Sequence, residues 1–410
     1  MIGEDAGLLG GVPDPAHRAL GERAGLGDAQ VDAPGSIGGG HGRLCYVTNS
    51  RGGSAVKTIG PVVAVAATLL LCHGAEAQGP IRIGASLSLT GTYAKLGNYQ
   101  HEGYRLCQKD LNAKGGLLGR TVEFVVYDDQ SLPPTGVRLY EKLLTDDKVD
   151  VVMGPYSSPV TEAVANVTEK YRKVMVSPLA ATTSAEGYFE GLLDMAVKRG
   201  LKSVAVINED TLFSKAEAYP KASTDFSALL TKIKAANPDV LAAATYFDDA
   251  VALSRQLKEL NVNPKMYGVT IGGDLPEFYD TLKSTAEYVY GATQWEPVLG
   301  YPGNREFVES YKAEFKREPS YFAASGYAGC LVFAEAVRRA GSLDPDKVRE
   351  QILKLDLRTP FGDFKVDADG VQIAHTMVTF QWQKEKKVIV WPDELAAGKP
   401  LFPTPPWTSR

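Results

Sequence analysis

Val149-Asp150-Val151-Val152-Met153-Gly154-Pro155-Tyr156-Ser157-Ser158-Pro159 joins an apolar run, a glycine–proline turn and a helix start. Val149, Val151, Val152 and Met153 make Val149–Met153 a buried strand. Ser158 is a good N-cap and Pro159 suits the first helical position, so Pro159–Tyr171 reads as a helix. A buried strand that feeds directly into a helix is the repeating unit of a parallel sheet covered by helices.

The same alternation extends in both directions. Upstream, Ile81–Ala85 and Thr121–Tyr127 read as strands, and Tyr99–Leu111 and Gly136–Leu144 as helices. Lys114-Gly115-Gly116 stops the first helix, glycine supplying its C-terminal cap. Downstream, Val174–Val176, Ser203–Asn208, Asp239–Ala244, Lys265–Val269 and Tyr288–Thr293 are strands. Phe189–Lys198, Phe226–Ala236, Ala250–Leu260, Arg305–Phe315 and Ala323–Ala340 are helices. Near the end, Gly362–Asp367, Met377–Trp382 and Lys387–Trp391 read as strands, with Asp369-Gly370 as a hairpin-type turn. Pro403, Pro405 and Pro406 mark an irregular strap. The expected class is α/β with doubly wound parallel sheets. One place breaks the rhythm: the 16 residues between Asn208 and Asp225 contain Pro220 and no strand signal. A parallel crossover needs about a dozen residues plus its next strand, so one unit of the second sheet is expected to be truncated.

With 410 residues, a net charge of −5 and 23% charged residues, the chain has ordinary soluble composition and length for two or three domains. No long Lys/Arg run supplies a phosphate-binding surface, so nucleic acid is not an expected partner. Residues 1–55 are rich in Gly, Ala and Asp without periodicity, and read as disordered or as a mis-called N-terminal extension. Residues 56–77 read as a signal peptide: Lys57, an apolar run from Ile59 to Cys72, then Ala75-Glu76-Ala77 before Gln78. Cleavage is expected after Ala77, with translation starting near Val56. Leu71 before Cys72 is not the small residue that lipid attachment needs. Cys107 and Cys330 lie in apolar helical stretches; the default is a pair of buried thiols, and two cysteines fix no disulfide.

No catalytic signature emerges. The glycines at 37–40 follow no strand, and GxxxxGK[ST], HExxH and CxxC are absent. His101 and His375 are the only histidines beyond the signal segment. Neither an enzyme, a cofactor nor a metal is expected. The best candidate site is the helix start at Ser158, where free N–H groups and the helix dipole favour an anion such as a ligand carboxylate. The next strand ends in Ser177-Pro178-Leu179-Ala180-Ala181-Thr182-Thr183, small and hydroxyl residues that let backbone approach a ligand. In open α/β sheets ligands bind beyond the carboxyl ends of the strands.

Ile83-Gly84-Ala85-Ser86-Leu87-Ser88-Leu89-Thr90-Gly91, Asn112–Gly116, Tyr127–Asp129, Gly154–Ser158, Ser177–Thr182, Asp225–Ser227, Asn237–Asp239 and Ser325–Tyr327 together resemble the branched-chain amino-acid-binding proteins of bacterial ABC transporters. The resemblance runs from about Pro80 to about Val390. It implies the type I periplasmic-binding fold, two α/β lobes joined by a three-crossing hinge and closing over a ligand. Lobe 1 would be 78–184 plus 296–361, and lobe 2 would be 185–295 plus 362–410. Ser158 falls on the family's carboxylate-binding serine. Ala180, Ala181 and Thr182 fall on the segment that holds the α-carboxylate and α-amino group. Phe213, and Tyr246 or Phe247, fall on aromatics of the second lobe that cover the ligand. Thr270 stands where amino-acid binders place an acid for the ammonium; Asp248, Asp249 and Asp274 are the substitutes in reach. Ser131 and Ser157 stand where some members have a disulfide. The resemblance implies a periplasmic transport component that hands an amino acid, or a related aromatic or branched carboxylate, to an inner-membrane ABC permease. A sensor of the same fold is the alternative. Relative to the family, the chain is short after Ser184 and after Ala218.

Overall fold

Ile81, Ile83, Ala85 and Leu87 alternate along β1 (Ile81–Leu87) and are fully buried in the computed structural model, which describes residues 79–178, 185–209, 218–220 and 223–410. Beside β1 lie β2 (Val122–Asp128), β3 (Val151–Met153) and β4 (Met175–Val176), all parallel in the order β2-β1-β3-β4. The register sets Ile81 opposite Val122, Ile83 opposite Val151 and Val152 opposite Met175. Helix α1 (Ala94–Ala113) shares one core with the sheet, while α2 (Pro133–Thr145) and α3 (Ser158–Lys170) contribute Tyr140, Leu143, Val160 and Val164 to another.

The second sheet is built from α4 (Glu190–Lys198), β5 (Val204–Glu209), β6 (Ala218–Tyr219), α5 (Ser227–Ala236), β7 (Val240–Ala244), α6 (Phe247–Glu259), β8 (Met266–Val269), α7 (Pro276–Leu282) and β9 (Tyr290–Thr293). Its strand order is β13-β12-β9-β8-β7-β5-β6; β12 (Val378–Gln383) runs antiparallel to both β9 and β13 (Lys386–Trp391). Leu192, Met195 and Ala196 of α4 cover one face and Leu230, Leu253 and Leu257 the other. Between β9 and β12 the chain returns to the first core. There it forms α8 (Asn304–Phe315), α9 (Tyr321–Ala340), α10 (Pro345–Lys354) and the hairpin of β10 (Asp356–Thr359) and β11 (Gly362–Lys365). The chain therefore passes between the two α/β lobes three times, as in the type I periplasmic-binding fold.

Four expectations change. A strand does lie between Asn208 and Asp225: β6 pairs Ala218 with Asn208 and Tyr219 with Glu209. Two residues carry no periodic signal, and what fixes them is Tyr219, buried edge-on against Phe226 with its hydroxyl on Asp249. Among the described residues this edge strand is two residues long. The helix expected to be capped by Ser158 starts one residue earlier: Ser157 is the extended cap residue (φ −89°, ψ 146°), and Ser158 and Pro159 are already helical. Cys107 and Cys330 are joined by a disulfide rather than being buried thiols. Their helices, α1 and α9, lie so close that a Cβ at Gly103 would run into the Ala323 carbonyl. Finally, the strand expected over 362–367 ends at Lys365 and joins neither large sheet. Leu355, Phe361, Phe364 and Val366, on and around this hairpin, pack into the first core, and the expected lobe boundary at 361–362 falls inside it.

The proline-rich strap crosses the second lobe. Thr404 N–H donates to the Lys265 carbonyl (3.0 Å), and buried Trp407 Nε1 donates to the Val262 carbonyl (2.8 Å). No helix among the described residues is long and apolar enough to cross a membrane.

Candidate functional site

The loops at the carboxyl ends of the strands in the two lobes meet each other. From the first lobe come the β1–α1 loop, carrying Tyr93, and the β3–α3 turn, carrying Tyr156. From the second come Tyr246, directly after the β7 end, and Ile271, just beyond β8. Tyr93 packs on Tyr246 with ring centroids 4.7 Å apart and on Tyr156 at 6.0 Å; Tyr156 meets Phe322 edge-on at 5.4 Å. The Tyr188 and Tyr321 hydroxyls lie 3.2 Å apart. All six rings are at least nine-tenths buried. Burial is the main reason that Tyr156 and Tyr321 are held well above the ordinary phenol range, so these hydroxyls remain neutral.

Each loop is fixed from below. Buried Asp129 accepts from Ser86 Oγ (3.0 Å), Ser88 Oγ (2.8 Å) and the Ser131 N–H (2.9 Å). Ser131 Oγ donates to the Thr90 carbonyl (2.9 Å) and accepts from the Tyr93 N–H (3.0 Å). Ser131 thus locks the β1–α1 loop by hydrogen bonds. In the β3–α3 turn, the Gly154 carbonyl accepts from Tyr104 Oη (2.9 Å) and Gln100 Nε2 (3.3 Å), and its N–H donates to the Val176 carbonyl (2.8 Å). A Cβ at Gly154 would lie 2.7 Å from the Ser177 Cα. Only glycine lets the β3 and β4 ends adjoin this closely, and they are the two stretches on which the sequence reading rested.

Ser158 sits half-buried in the first turn of α3. Beside it, Ser157 is 2% exposed, and among the described residues its hydroxyl finds no hydrogen-bond partner, not even the capping bond its position allows. Tyr246 is buried in the junction, while Phe247 is half-buried beneath Lys95, whose Nζ lies 3.5 Å from its ring centroid. Both line a cavity of about 480 Å³ at the outer side of the junction, with Leu96, Asp248, Glu277 and Arg317. Thr270 is buried, and its hydroxyl is engaged: Oγ1 donates to the Thr245 carbonyl (3.0 Å) and accepts from the Thr245 N–H (2.9 Å). It braces the turn that presents Tyr246. Ala180, Ala181, Thr182 and Phe213 lie outside the described residues, as do the extension at 1–55 and the signal segment at 56–77. Of the three candidate acids, Asp248 is exposed, Asp249 accepts from Tyr219, and Asp274 is fully buried. The sequence reading missed Tyr93, Tyr188, Tyr321 and Phe322. Their only sequence signal is position, each at or near the start of a helical turn.

The sequence model of the family described as periplasmic binding protein matches residues 80–216 and 211–387. The chain belongs to this family. It is similar to "Leu/Ile/Val-binding protein homolog 7" of Brucella suis, 25% identical over 399 positions that take in 83% of this chain and 99% of the relative. It is also similar to the leucine-, isoleucine-, valine-, threonine- and alanine-binding protein of Pseudomonas aeruginosa, 24% identical over 75% of this chain and 91% of that one. Among solved structures it resembles the branched-chain amino acid transporter substrate binding protein LivJ of Streptococcus pneumoniae in complex with isoleucine (TM-score 0.68, 22% identity, 75% of this chain and 97% of that chain). It resembles equally a solute binding protein of an R. palustris ABC transporter in complex with benzoate (TM-score 0.68, 20% identity, 78% and 100%). The structural likenesses establish the fold. In the Brucella alignment this chain is the shorter partner, since 83% of 410 residues spans 399 positions. The two segments matched by the family model overlap at 211–216, where the sequence passes from β5 toward the β6 stub.

Proposed function

We propose that this chain is the solute-capturing component of an ABC transporter, closing its two lobes on an amino acid of branched-chain type or a related small carboxylate. The observation that carries the reading is the buried Ser157 hydroxyl, unpaired at the α3 N-terminus and next to the aromatic junction of the lobes. Helix-start amides and a free hydroxyl suit a carboxylate, and apolar cover excludes water and strengthens the bonds beneath it. Ser158, Ala180, Ala181 and Thr182 complete the carboxylate side in this reading, and Phe213, Tyr246 and Phe247 the cover. Thr270 acts by bracing Tyr246. The partner is an inner-membrane permease that accepts the closed form. The role is binding, without chemical turnover. Export to the periplasm through the 56–77 segment, cleaved after Ala77, belongs to the same proposal, and N-terminal sequencing of the exported protein checks it.

A calorimetric screen of the exported protein against Leu, Ile, Val and Phe, their keto acids and benzoate tests the function. Saturable binding of any of these supports it; no binding across the panel removes it. A second reading, an aromatic or branched carboxylate without an amino group, has one specific observation in its favour: the position of the family's ammonium-binding acid is Thr270, whose hydroxyl is already engaged.

A further inference from the structure

Where the turn after β8 meets the passage that leaves β9, the second lobe buries two carboxyl groups against one ammonium. Lys387 Nζ, on β13, donates to Asp274 Oδ1 (3.0 Å), to the Asp274 carbonyl (2.8 Å) and to Glu296 Oε1. The side chains of Asp274, Glu296 and Lys387 are 1%, 8% and 15% exposed. Among the described residues no other cation pairs with either acid, and Asp274 Oδ2, fully buried, finds no hydrogen-bond partner. With both acids ionised, the cluster holds one uncompensated negative charge where water does not screen it, and such a charge is costly. One proton on the pair makes the cluster neutral and supplies a donor between the two carboxyls. Glu296 responds in this sense. Burial raises it most, Lys387 pulls it back and the Asp274 charge pushes it up again, from 4.5 to about 8 in all. Burial opposes the Lys387 charge, but both carboxylates hold the ammonium protonated well above its ordinary range.

The neighbouring titratable groups are set otherwise. Across the junction, Asp274 acts on Tyr99, Tyr188 and Tyr321, which burial above all holds over the ordinary phenol range and so neutral. His375 bonds the Gln294 carbonyl, two residues before Glu296; burial lowers it to about 4, so it too is neutral near neutral pH. Lys386, beside Lys387 on β13, is exposed, and Glu277 of α7 lies against the Tyr99 hydroxyl (3.5 Å). β12 meets the cluster with Phe380, its ring centroid 5.4 Å from Lys387 Nζ, and with Trp382, whose Nε1 donates to the Gly273 carbonyl (3.0 Å); neither titrates. We propose that Asp274 and Glu296 form a buried proton site, in which Glu296 carries one proton across neutral pH with Asp274 as its partner. Loss of that proton at alkaline pH leaves two carboxylates on one ammonium and drives them apart. The site joins two elements that build the lobe junction. Asp274 ends the tight turn Ile271–Gly273, and Ile271 and Leu275 pack into the core that holds Tyr93 and Tyr156. Glu296 follows Trp295, whose Nε1 donates to the Pro360 carbonyl of another passage (2.9 Å). The unfolded chain ionises Glu296 at its ordinary 4.5, while the folded chain keeps the proton to higher pH. This contribution to stability is whole below pH 4.5 and is lost as pH rises through about 8.

The site involves no solute, so its test stands apart from the transport reading. Infrared spectra of the solute-free exported protein are followed as pH rises from about 6 to about 10. A protonated-carboxyl carbonyl band is expected at the acid end. Isotopic labelling of the glutamate side-chain carboxyl carbon should move it, and it should vanish as pH passes about 8. Among the described side chains Glu296 is the only glutamate that its surroundings raise, so the label assigns the band without any variant. Glu296→Gln should abolish the band. Asp274→Asn, which takes away the repelling charge, should lower the pH of its loss by at least about one unit. On unfolding near neutral pH, the wild type should release about one proton more than Glu296→Gln, read by calorimetry in buffers of different ionisation enthalpy. A wild type without a label-sensitive band near neutral pH overturns the site, whether or not the variants fold. So does a band that survives in folded Glu296→Gln, one that titrates at the same pH in folded Asp274→Asn, or equal proton release from wild type and Glu296→Gln.

Discussion

Ser157 separates folding from binding at a single hydroxyl. It occupies the cap position of α3 but makes no cap hydrogen bond, so its removal deprives the helix of nothing. An unsatisfied buried polar atom costs stability. Ser157→Ala is therefore expected to leave the melting temperature of the ligand-free protein unchanged or raised, while weakening leucine by about 1.5–3 kcal/mol if the hydroxyl meets the carboxylate. Ser158→Ala should weaken it by about 1–3 kcal/mol. Thermal melts with and without leucine measure both effects; a lowered ligand-free melt with unchanged affinity would remove Ser157 from the site. His375 makes a different prediction. Its Nε2 bonds the Gln294 carbonyl (2.8 Å) and its ring stacks on Phe361, tying together two of the passages between lobes. Burial lowers its pKa from 6.5 to about 4. The unfolded chain then takes up a proton that the folded chain refuses. This contribution to stability is whole above pH 6.5 and is lost as pH falls toward 4, by up to about 3 kcal/mol. Denaturant unfolding at a series of pH values should show a shallower acid loss for His375→Gln than for the wild type across this window.

At the scale of elements, the link between α1 and α9 makes the sharpest prediction. Cys107 and Cys330 are 223 residues apart in sequence, and closing so long a loop removes much of the freedom of the unfolded chain. The chain-entropy estimate is about 5 kcal/mol, an upper figure because engineered and native bridges often give less. Reduction under native conditions, or Cys107→Ser with Cys330→Ser, should lower the melting temperature. A melt that ignores reductant would show that helix packing alone holds the pair. The sequence could not reveal this bond, because two cysteines in apolar helical stretches look the same whether paired or free. The distinguishing fact is the close helix approach at Gly103. The start of α3 was legible to within one residue, since Ser-Ser-Pro offers two successive cap candidates and only backbone angles choose between them. The β6 stub was not legible, because its two residues depend on Tyr219 finding Phe226 and Asp249.

In the whole molecule, alternating strands and helices sufficed to read two parallel sheets, since buried strands and amphipathic helices leave strong local patterns. What joins the lobes left weaker traces. Tyr93, Tyr188, Tyr246 and the adjacent pair Tyr321 and Phe322 come from four separate segments and meet only after folding. Asp248, Asp249 and Asp274 were three acids that spacing could not rank, and they differ after folding: Asp248 is exposed, Asp249 accepts from Tyr219 and Asp274 pairs with Lys387. The C-terminal hairpin illustrates the same limit, because its strand character was legible but the core it joins was not.

All four tryptophans of the chain, at 295, 382, 391 and 407, lie on the second sheet, its strap or the passage leaving β9. The first lobe from Ile81 to Val176 contains only tyrosine and phenylalanine as aromatic residues. Indole emission is consequently a native optical label confined to one half of the protein and its hinge. Without any dye or substitution, it can report whether the shortened half loosens ahead of its neighbour.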